Sequence, residues 1–233
     1  MIYDLHLHTC LSPCADDNMT PSNVVGMMSL AGAEVIAVTD HNSARNLVAA
    51  KKAADFYNIK LLPGIEVNTA EEIHLLCYFC GIEEALEMGE EIYNSLADIS
   101  VDTQIWGEQL IVDENDEIVG SLDKLLTLAS SYDIYAVKQM TEALGGIAVP
   151  AHIDRDSSSL LSIMGFMPVD LDFRIVELTD ITRYSEYVKT GVLPPMLDLL
   201  ESSDAHSLDQ LTRNNIPRLA KDHEILKYIR RIK

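Results

Sequence analysis

The chain has 233 residues, 48% of them hydrophobic, which supplies a buried core and excludes a disordered or fibrous protein. Its 17 Lys and Arg against 37 Asp and Glu give a formal net charge of −20 with the basic residues scattered, so long duplex nucleic acid is not an expected partner. Four cysteines are too few for a disulfide framework at this size, the N-terminus MIYDLHLHTC does not read as a leader, and no apolar run is long enough to span a bilayer; a cytoplasmic protein without membrane association is expected.

Along the chain, short apolar runs rich in β-branched residues alternate with longer segments of helical period, the pattern of β-α units around a parallel sheet. Strands are expected at Met1–Leu5, Val35–Thr39, Ile59–Leu62, Ile73–Phe79, Ile147–Pro150, Ile175–Leu178 and Leu197–Ser202. Helices are expected over Pro21–Ala31, with Thr20 as N-cap and Pro21 at the first helical position, then Ala44–Tyr57, Glu83–Asp98, Tyr135–Leu144 before Gly145-Gly146, and Asp222–Ile232. The acidic stretch 98–123 breaks this rhythm. Within it QLIVDENDEIVGSL sets two apolar triplets around a polar turn, which reads as an inserted β-hairpin. The turn carboxylates Asp113, Glu114, Asp116 and Glu117 lack the glycine and downstream glutamate of a calcium loop. With no repeat, linker or low-complexity segment, the reading is one domain over 1–233 with an insertion at about 98–123.

Seven histidines occur, at 6, 8, 41, 74, 152, 206 and 223. His6 and His8 form an H-x-H pair after the first strand, and on an extended segment that spacing puts both rings on one face. His41 closes Val-Thr-Asp-His, Glu66 follows the third strand, His152 ends Val-Pro-Ala-His, and Asp204 and His206 end the seventh strand two residues apart. In a barrel of parallel strands the carboxyl ends open onto one rim, so these residues converge there. Any one of the histidines reads as an ordinary core or surface residue; six placed alike read as a metal centre. His74 lies inside its strand, where alternation puts it on one face with Leu76, Tyr78 and Cys80, directed at the metals from below. The same alternation separates Cys77 from Cys80, against a zinc clasp. His223 reads as a surface residue, and Cys10 and Cys14 lie in a loop without partner cysteines at usable spacing.

The motifs D-L-H-L-H at 4–8, the Asp16-Asp17-Asn-Met-Thr-Pro segment, T-D-H-N at 39–42, G-I-E-V at 64–67, E-I-H-L-L at 72–76, P-A-H at 150–152 and S-D-A-H at 203–206 together resemble the PHP (polymerase and histidinol phosphatase) superfamily, in particular its stand-alone metal-dependent phosphoesterases. The resemblance covers nearly the whole chain. It implies an α/β fold, a distorted (β/α)7 TIM-like barrel with a trinuclear metal site at the C-terminal rim. It implies one ion on His6, His8, Glu66 and Asp204, a second on Glu66, His74 and His152, and a third on Asp16, His41 and His206. The three divalent ions would be Zn, Mn or Fe, the metals suited to imidazole and carboxylate donors.

The implied chemistry is hydrolysis of phosphomonoesters or small nucleotide phosphoesters by a metal-bridging hydroxide over Glu66. Asp40 is expected behind the ligands as an acceptor or as proton donor to the leaving group, with a turn-capping role equally open. Arg45, Arg155 and Arg183 are the candidates for gripping a small phosphorylated substrate, and the hairpin at 109–120 is a candidate cover for the cleft. Histidinol-phosphate phosphatase and short-oligonucleotide exonuclease are the alternatives among enzymes. A non-catalytic, metal-stabilised regulatory module is the alternative outside them.

Overall fold

The computed structural model describes residues 1–211 and 216–232. In chain order the elements are β1 (Tyr3–Leu7), α1 (Pro21–Leu30), β2 (Val35–Val38), α2 (Leu47–Tyr57), β3 (Lys60–Leu61), β4 (Gly64–Asn68), β5 (His74–Tyr78), α3 (Ile82–Ser95), α4 (Thr103–Trp106), β6 (Leu110–Val112), β7 (Ile118–Ser121), α5 (Ile134–Ala143), β8 (Ile147–Pro150), α6 (Leu160–Met164), β9 (Ile175–Glu177), α7 (Tyr184–Lys189), β10 (Asp198–Leu200) and α8 (Leu226–Ile229). The fold is mixed α/β. Its strands form four small sheets, ordered β1-β2-β3, β4-β5-β8, β9-β10 and β6-β7.

Two departures from the expected all-parallel arrangement matter for the site. Gly64–Asn68 is a strand of its own rather than the loop after the third strand. The next strand, β5, runs antiparallel to both β4 and β8, with Asn68 opposite His74 and Leu75 opposite Pro150. The cause is the connection between β4 and β5. A parallel pairing needs a crossover of about a dozen residues or more, whereas here Thr69 N–H donates to Ile73 O (3.0 Å) and Glu72 N–H to Thr69 O (2.9 Å) in a tight turn, Glu72 sitting at φ 64. Isolated backbone hydrogen bonds link neighbouring sheets: Asn42 N–H to Glu66 O (2.8 Å) with Glu66 N–H to Asp40 O (3.1 Å), Ile153 N–H to Glu177 O (2.9 Å) and His8 N–H to Ala205 O (3.1 Å).

The apolar core has two main parts, as strand alternation requires. An inner cluster holds Tyr3 and Leu5 of β1, Val35 and Ala37 of β2, Leu76 and Tyr78 of β5, Val149, Ile175 and Leu200, with Ile225, Leu226 and Ile229 packed against them. An outer cluster packs Leu75, Cys77 and Val176 with Val24 and Met28 of α1, Leu47 and Ala50 of α2, Met88 and Ile92 of α3, and Val137 of α5. Helix α1 starts as read, Thr20 accepting the Asn23 N–H. The hairpin β6-β7 forms within the insertion and is anchored rather than free. Asn46 Nδ2 donates to Leu110 O (3.1 Å), and Val112 N–H donates to Asn46 Oδ1 (3.1 Å). At its turn, Asp116 accepts from the Thr20 hydroxyl (2.8 Å) and the Ser22 N–H (3.3 Å), placing a carboxylate at the positive end of α1.

His223 is buried, not on the surface: its Nε2 lies 3.2 Å from Leu199 O and its Nδ1 accepts the Ile225 N–H. Cys10, Cys77 and Cys80 are buried and Cys14 is exposed.

Candidate metal centre

The site is assembled from strand ends. In β1 the register slips between Asp4 and Leu7. Tyr3 and Leu5 join the inner core but Leu7 joins the outer one, and this local break in alternation accompanies the turning of His6 and His8 toward the same carboxylates. His41 pairs with Glu66 across β2 and β4. Gly64 permits that approach, since a Cβ there would meet Thr39 Cγ2 at 2.8 Å. His74 is the first residue of β5, and because β5 is reversed, its amino end lies level with the carboxyl ends of β4 and β8. His152 and Asp204 follow β8 and β10 in left-handed backbone, at φ 26 and φ 50. For residues other than glycine such conformations cost roughly 1–3 kcal/mol each and recur at functional sites.

Glu66 is the hub. Its Oε1 lies 2.9 Å from His74 Nδ1, 3.2 Å from His152 Nε2 and 3.3 Å from His6 Nε2. Its Oε2 lies 3.0 Å from His41 Nδ1 and 3.3 Å from His8 Nε2. Asp204 Oδ1 is 3.1 Å from both His6 Nε2 and His8 Nε2. The His206 ring stacks on His8 with centroids 4.1 Å apart. Three overlapping groups bring their donor atoms within 4.8 Å of one another: His6, His8, Glu66 and Asp204; His41, Glu66 and His74; and His8, His41 and His206.

Burial opposes charge on His8, His41, Glu66 and Asp204, yet the opposite charges prevail there. Against burial, His8 is pushed up to about 9 by Asp204 and Glu66, and His41 to about 9 by Glu66. Glu66 is held well below the carboxylate range by His74, His6 and His41, and Asp204 by His6 and His8. At the edge burial prevails: His74 is lowered, and His206 falls to about 3 through burial and the neighbouring His8. Glu66 Oε2, His41 Nδ1 and His152 Nδ1 are buried without an aligned hydrogen bond. A buried polar atom left so costs about 1–3 kcal/mol, more when charged, and a cation held between them removes that penalty. Imidazole and carboxylate donors in this number fit divalent ions.

The other expected site residues are distributed unevenly. Arg155 reaches the cluster, its Nη1 2.5 Å from Asp204 Oδ2. Arg45 instead pairs with Glu90 (2.7 Å) and lies over Tyr93, while Arg183 lies over Tyr187 and 4.0 Å from Asp154. Asp16 is exposed, and its carboxylate joins none of the three donor groups. Asp40 is buried and accepts from Thr9 N–H, Thr9 Oγ1 and Ser12 Oγ, each at 2.7 Å. Those donors fit the turn-capping role. Ser12 Oγ lies in turn 2.9 Å from His8 Nδ1, so Asp40 orients the His8 ring through this hydroxyl. The residue missed from the sequence is Glu177, buried at the end of β9, with Oε2 2.9 Å from His6 Nδ1. The available signal was a carboxylate closing the apolar run Ile175-Val176 at a strand end.

The PHP domain profile matches residues 4–148, more than half of the chain. The chain belongs to the PHP family. An amidohydrolase from Chromobacterium violaceum shares the fold at TM-score 0.65 and 18% identity, over 99% of this chain and 96% of that one. A protein from Bifidobacterium adolescentis assigned as a metal-dependent phosphoesterase does so at 0.60 and 16%, over 99% and 94%. Endonuclease Q, in complex with a 27-mer duplex substrate carrying an abasic lesion at the active site, matches at 0.52 and 17%, over 89% of this chain and 50% of that one. At these identities the likeness is one of fold. An uncharacterized protein of Methanocaldococcus jannaschii is 33% identical over 76 residues, which is 29% of this chain and 44% of the relative. The chain therefore spans less than half of that curated relative and about half of endonuclease Q.

The endonuclease Q complex corrects one expectation. Net charge is a sum over the whole surface, and a fold of this kind takes duplex DNA at its active site, so −20 is no ground for excluding duplex nucleic acid. Among the described residues no helix is long and apolar enough to cross a membrane.

Proposed function

We propose that this PHP protein is a metal-dependent phosphoesterase that hydrolyses phosphomonoesters or small nucleotide phosphoesters. The observation that carries the reading is Glu66, whose two oxygens divide five histidines between them, Oε1 facing His6, His74 and His152 and Oε2 facing His8 and His41. One ion falls to His6, His8, Glu66 and Asp204, a second to Glu66 with His74 and His152, and a third to His41 and His206. On this reading the linked sheets make one distorted (β/α)7 TIM-like barrel over 1–233, the ligands on its rim. Divalent ions bound there supply Lewis acidity toward a phosphoryl oxygen and acidify water.

The chain's own groups do the rest. Glu177 accepts from His6 Nδ1, so that Nε2 presents its lone pair to the site. Arg155 stands beside Asp204 at a cavity of about 140 Å³ lined also by His152, Thr179, Ser202 and Ser203. That volume suits a phosphate group, and a guanidinium supplies two parallel donors to it. A nuclease acting on damaged duplex is the second reading, favoured by the endonuclease Q likeness.

The test combines elemental analysis with turnover of p-nitrophenyl phosphate, mononucleotides and an abasic-lesion duplex, using a His6→Ala/His8→Ala variant as control. Bound metal with turnover lost in the variant supports the phosphoesterase, and the preferred substrate separates the two readings. Stoichiometric metal without turnover on any substrate overturns both in favour of a non-catalytic module.

A further inference from the structure

His6 and His8 lie at the end of β1, and Asp204 and His206 in the segment after β10. The two backbones meet at Leu7 and Ala205, where a parallel bridge forms and His8 N–H donates to Ala205 O at 3.1 Å. Below that bridge the rungs are made by side chains. Glu201 N–H donates to Tyr3 Oη at 3.1 Å, and Ser203 N–H donates to Asp4 Oδ1 at 3.1 Å. The same oxygen of Asp4, a buried residue, also accepts the His6 N–H at 3.3 Å. Two N–H groups on facing segments cannot bond to each other, and each is unfavourable in the interior without an acceptor. One carboxylate oxygen between them removes that conflict and lets the segments approach. The two N–H groups belong to His6 itself and to the residue before Asp204, which stands in left-handed backbone at φ 50. Across this junction Asp204 Oδ1 lies 3.1 Å from both His6 Nε2 and His8 Nε2.

We propose that Asp4 is a positioning residue of the metal centre: it closes the junction between β1 and the segment after β10, and so sets the separation of His6 and His8 from Asp204. The inference rests on the metal-centre reading above. Glu177 holds the His6 ring and Asp4 holds the His6 peptide, so this histidine is fixed from two sides. An ion on His6, His8, Glu66 and Asp204 spans the junction and depends on its width. An ion on the group of His41, Glu66 and His74 does not, because β4, β5 and the end of β2 carry that group. The Tyr3 rung closes the same junction, but the N–H it accepts is that of Glu201, three residues before Asp204. Removing it costs a hydrogen bond of the fold and leaves the Asp4 contacts in place.

The experiment is elemental analysis and chelator competition with zinc on the wild type, Asp4→Ala, Asp4→Asn and Tyr3→Phe, alongside the Tm of each protein freed of metal. Expected in Asp4→Ala is one ion weakened about 10–100-fold with the others bound as in the wild type. In Asp4→Asn the same ion should be weakened less, since a neutral oxygen accepts more weakly than a carboxylate. Tyr3→Phe should lower Tm and leave every ion at wild-type affinity. A role confined to the fold would lower Tm in all three variants and single out no ion. Wild-type affinity for every ion in Asp4→Ala, equal weakening of all ions there, or the same ion weakened as much in Tyr3→Phe overturns the assignment and leaves the metal centre standing. If Asp4→Ala does not fold, Asp4→Asn carries the comparison, and failure of both to fold assigns Asp4 to the fold alone and overturns the positioning role. No zinc bound by the wild type overturns the metal centre and this assignment with it.

Discussion

Glu177 Oε2 lies 2.9 Å from His6 Nδ1 and accepts the backbone N–H of His152 at 3.0 Å, so one carboxylate on β9 sets the ring of one histidine of the cluster and the peptide of another. A carboxylate behind a ligating histidine fixes its tautomer and raises its basicity, and losing such a partner weakens metal binding about 10–100-fold. Glu177→Gln, which keeps the shape and removes the charge, is expected to show that loss in a chelator competition. Wild-type affinity in this variant would mean that the charge of Glu177 plays no part.

Among the described residues, Arg155 is the arginine that the fold carries to the cluster, through Asp204. Arg155→Ala is expected to lower kcat/KM on p-nitrophenyl phosphate by on the order of 100-fold, the usual consequence of losing one donor aimed at developing charge. Arg155→Lys should recover part of it, because a point charge lacks the paired donors. Arg45→Ala and Arg183→Ala should leave turnover unchanged, their partners being Glu90 and Tyr93, and Asp154 and Tyr187. Equal losses in all three variants would remove the special place of Arg155.

The pH dependence of the metal-free protein follows from the direction of each shift. His8 and His41 stand at about 9 in the folded chain, above the ordinary imidazole value of about 6.5. Their contribution is fully present below about 6.5 and is lost as pH rises through about 9. Glu66 and Asp204 are depressed, so theirs is present above the ordinary carboxylate range and lost as pH falls below it. His206, lowered to about 3, also loses stability on acidification, between about 6.5 and 3. Tm in the presence of a chelator should therefore decline on both sides of a maximum near pH 6–7. Metal affinity should rise with pH over the alkaline limb, because the rings must be deprotonated to bind. A chelated protein whose Tm is flat from about pH 6.5 to 9 would rule out the imidazolium–carboxylate pairing.

One anchor of the insertion's hairpin is a side chain outside it. Buried Asn46 donates to Thr9 Oγ1 (3.0 Å) and Leu110 O (3.1 Å) and accepts from Val112 N–H. Asn46→Ala leaves two strand groups of the hairpin unpaired and is expected to destabilise by about 1–3 kcal/mol, with protease cleavage opening between 98 and 123. Tm and limited proteolysis read both effects. Unchanged cleavage would show that the Asp116 contacts with Thr20 and Ser22 suffice to hold the hairpin.

Much of the site was legible because its donors are rare residue types at informative spacings. His6 and His8, His41, Glu66, His152, Asp204 and His206 could be picked out from strand-end position alone. His74 could not be placed properly, since its role depends on the direction of β5. The clue was the stretch 69–73, too short for a crossover. Asp16 lies outside the donor groups, because motif order says nothing of where a loop points its side chains. Glu177 was hidden because a carboxylate ending an apolar strand reads as a solvated end until the neighbouring strand is known.

By itself the sequence determined which donors exist, the two-residue spacings that put pairs of them on one face, and the hairpin, all consequences of local chain geometry. The tertiary structure decided which donors share a charge and which residues hold them in place. His8 meets Asp204 across 196 positions and His6 meets Glu177 across 171. Such contacts are set by strand order, direction and register, which depend on how the apolar faces pack and leave no periodic trace around the residues they join.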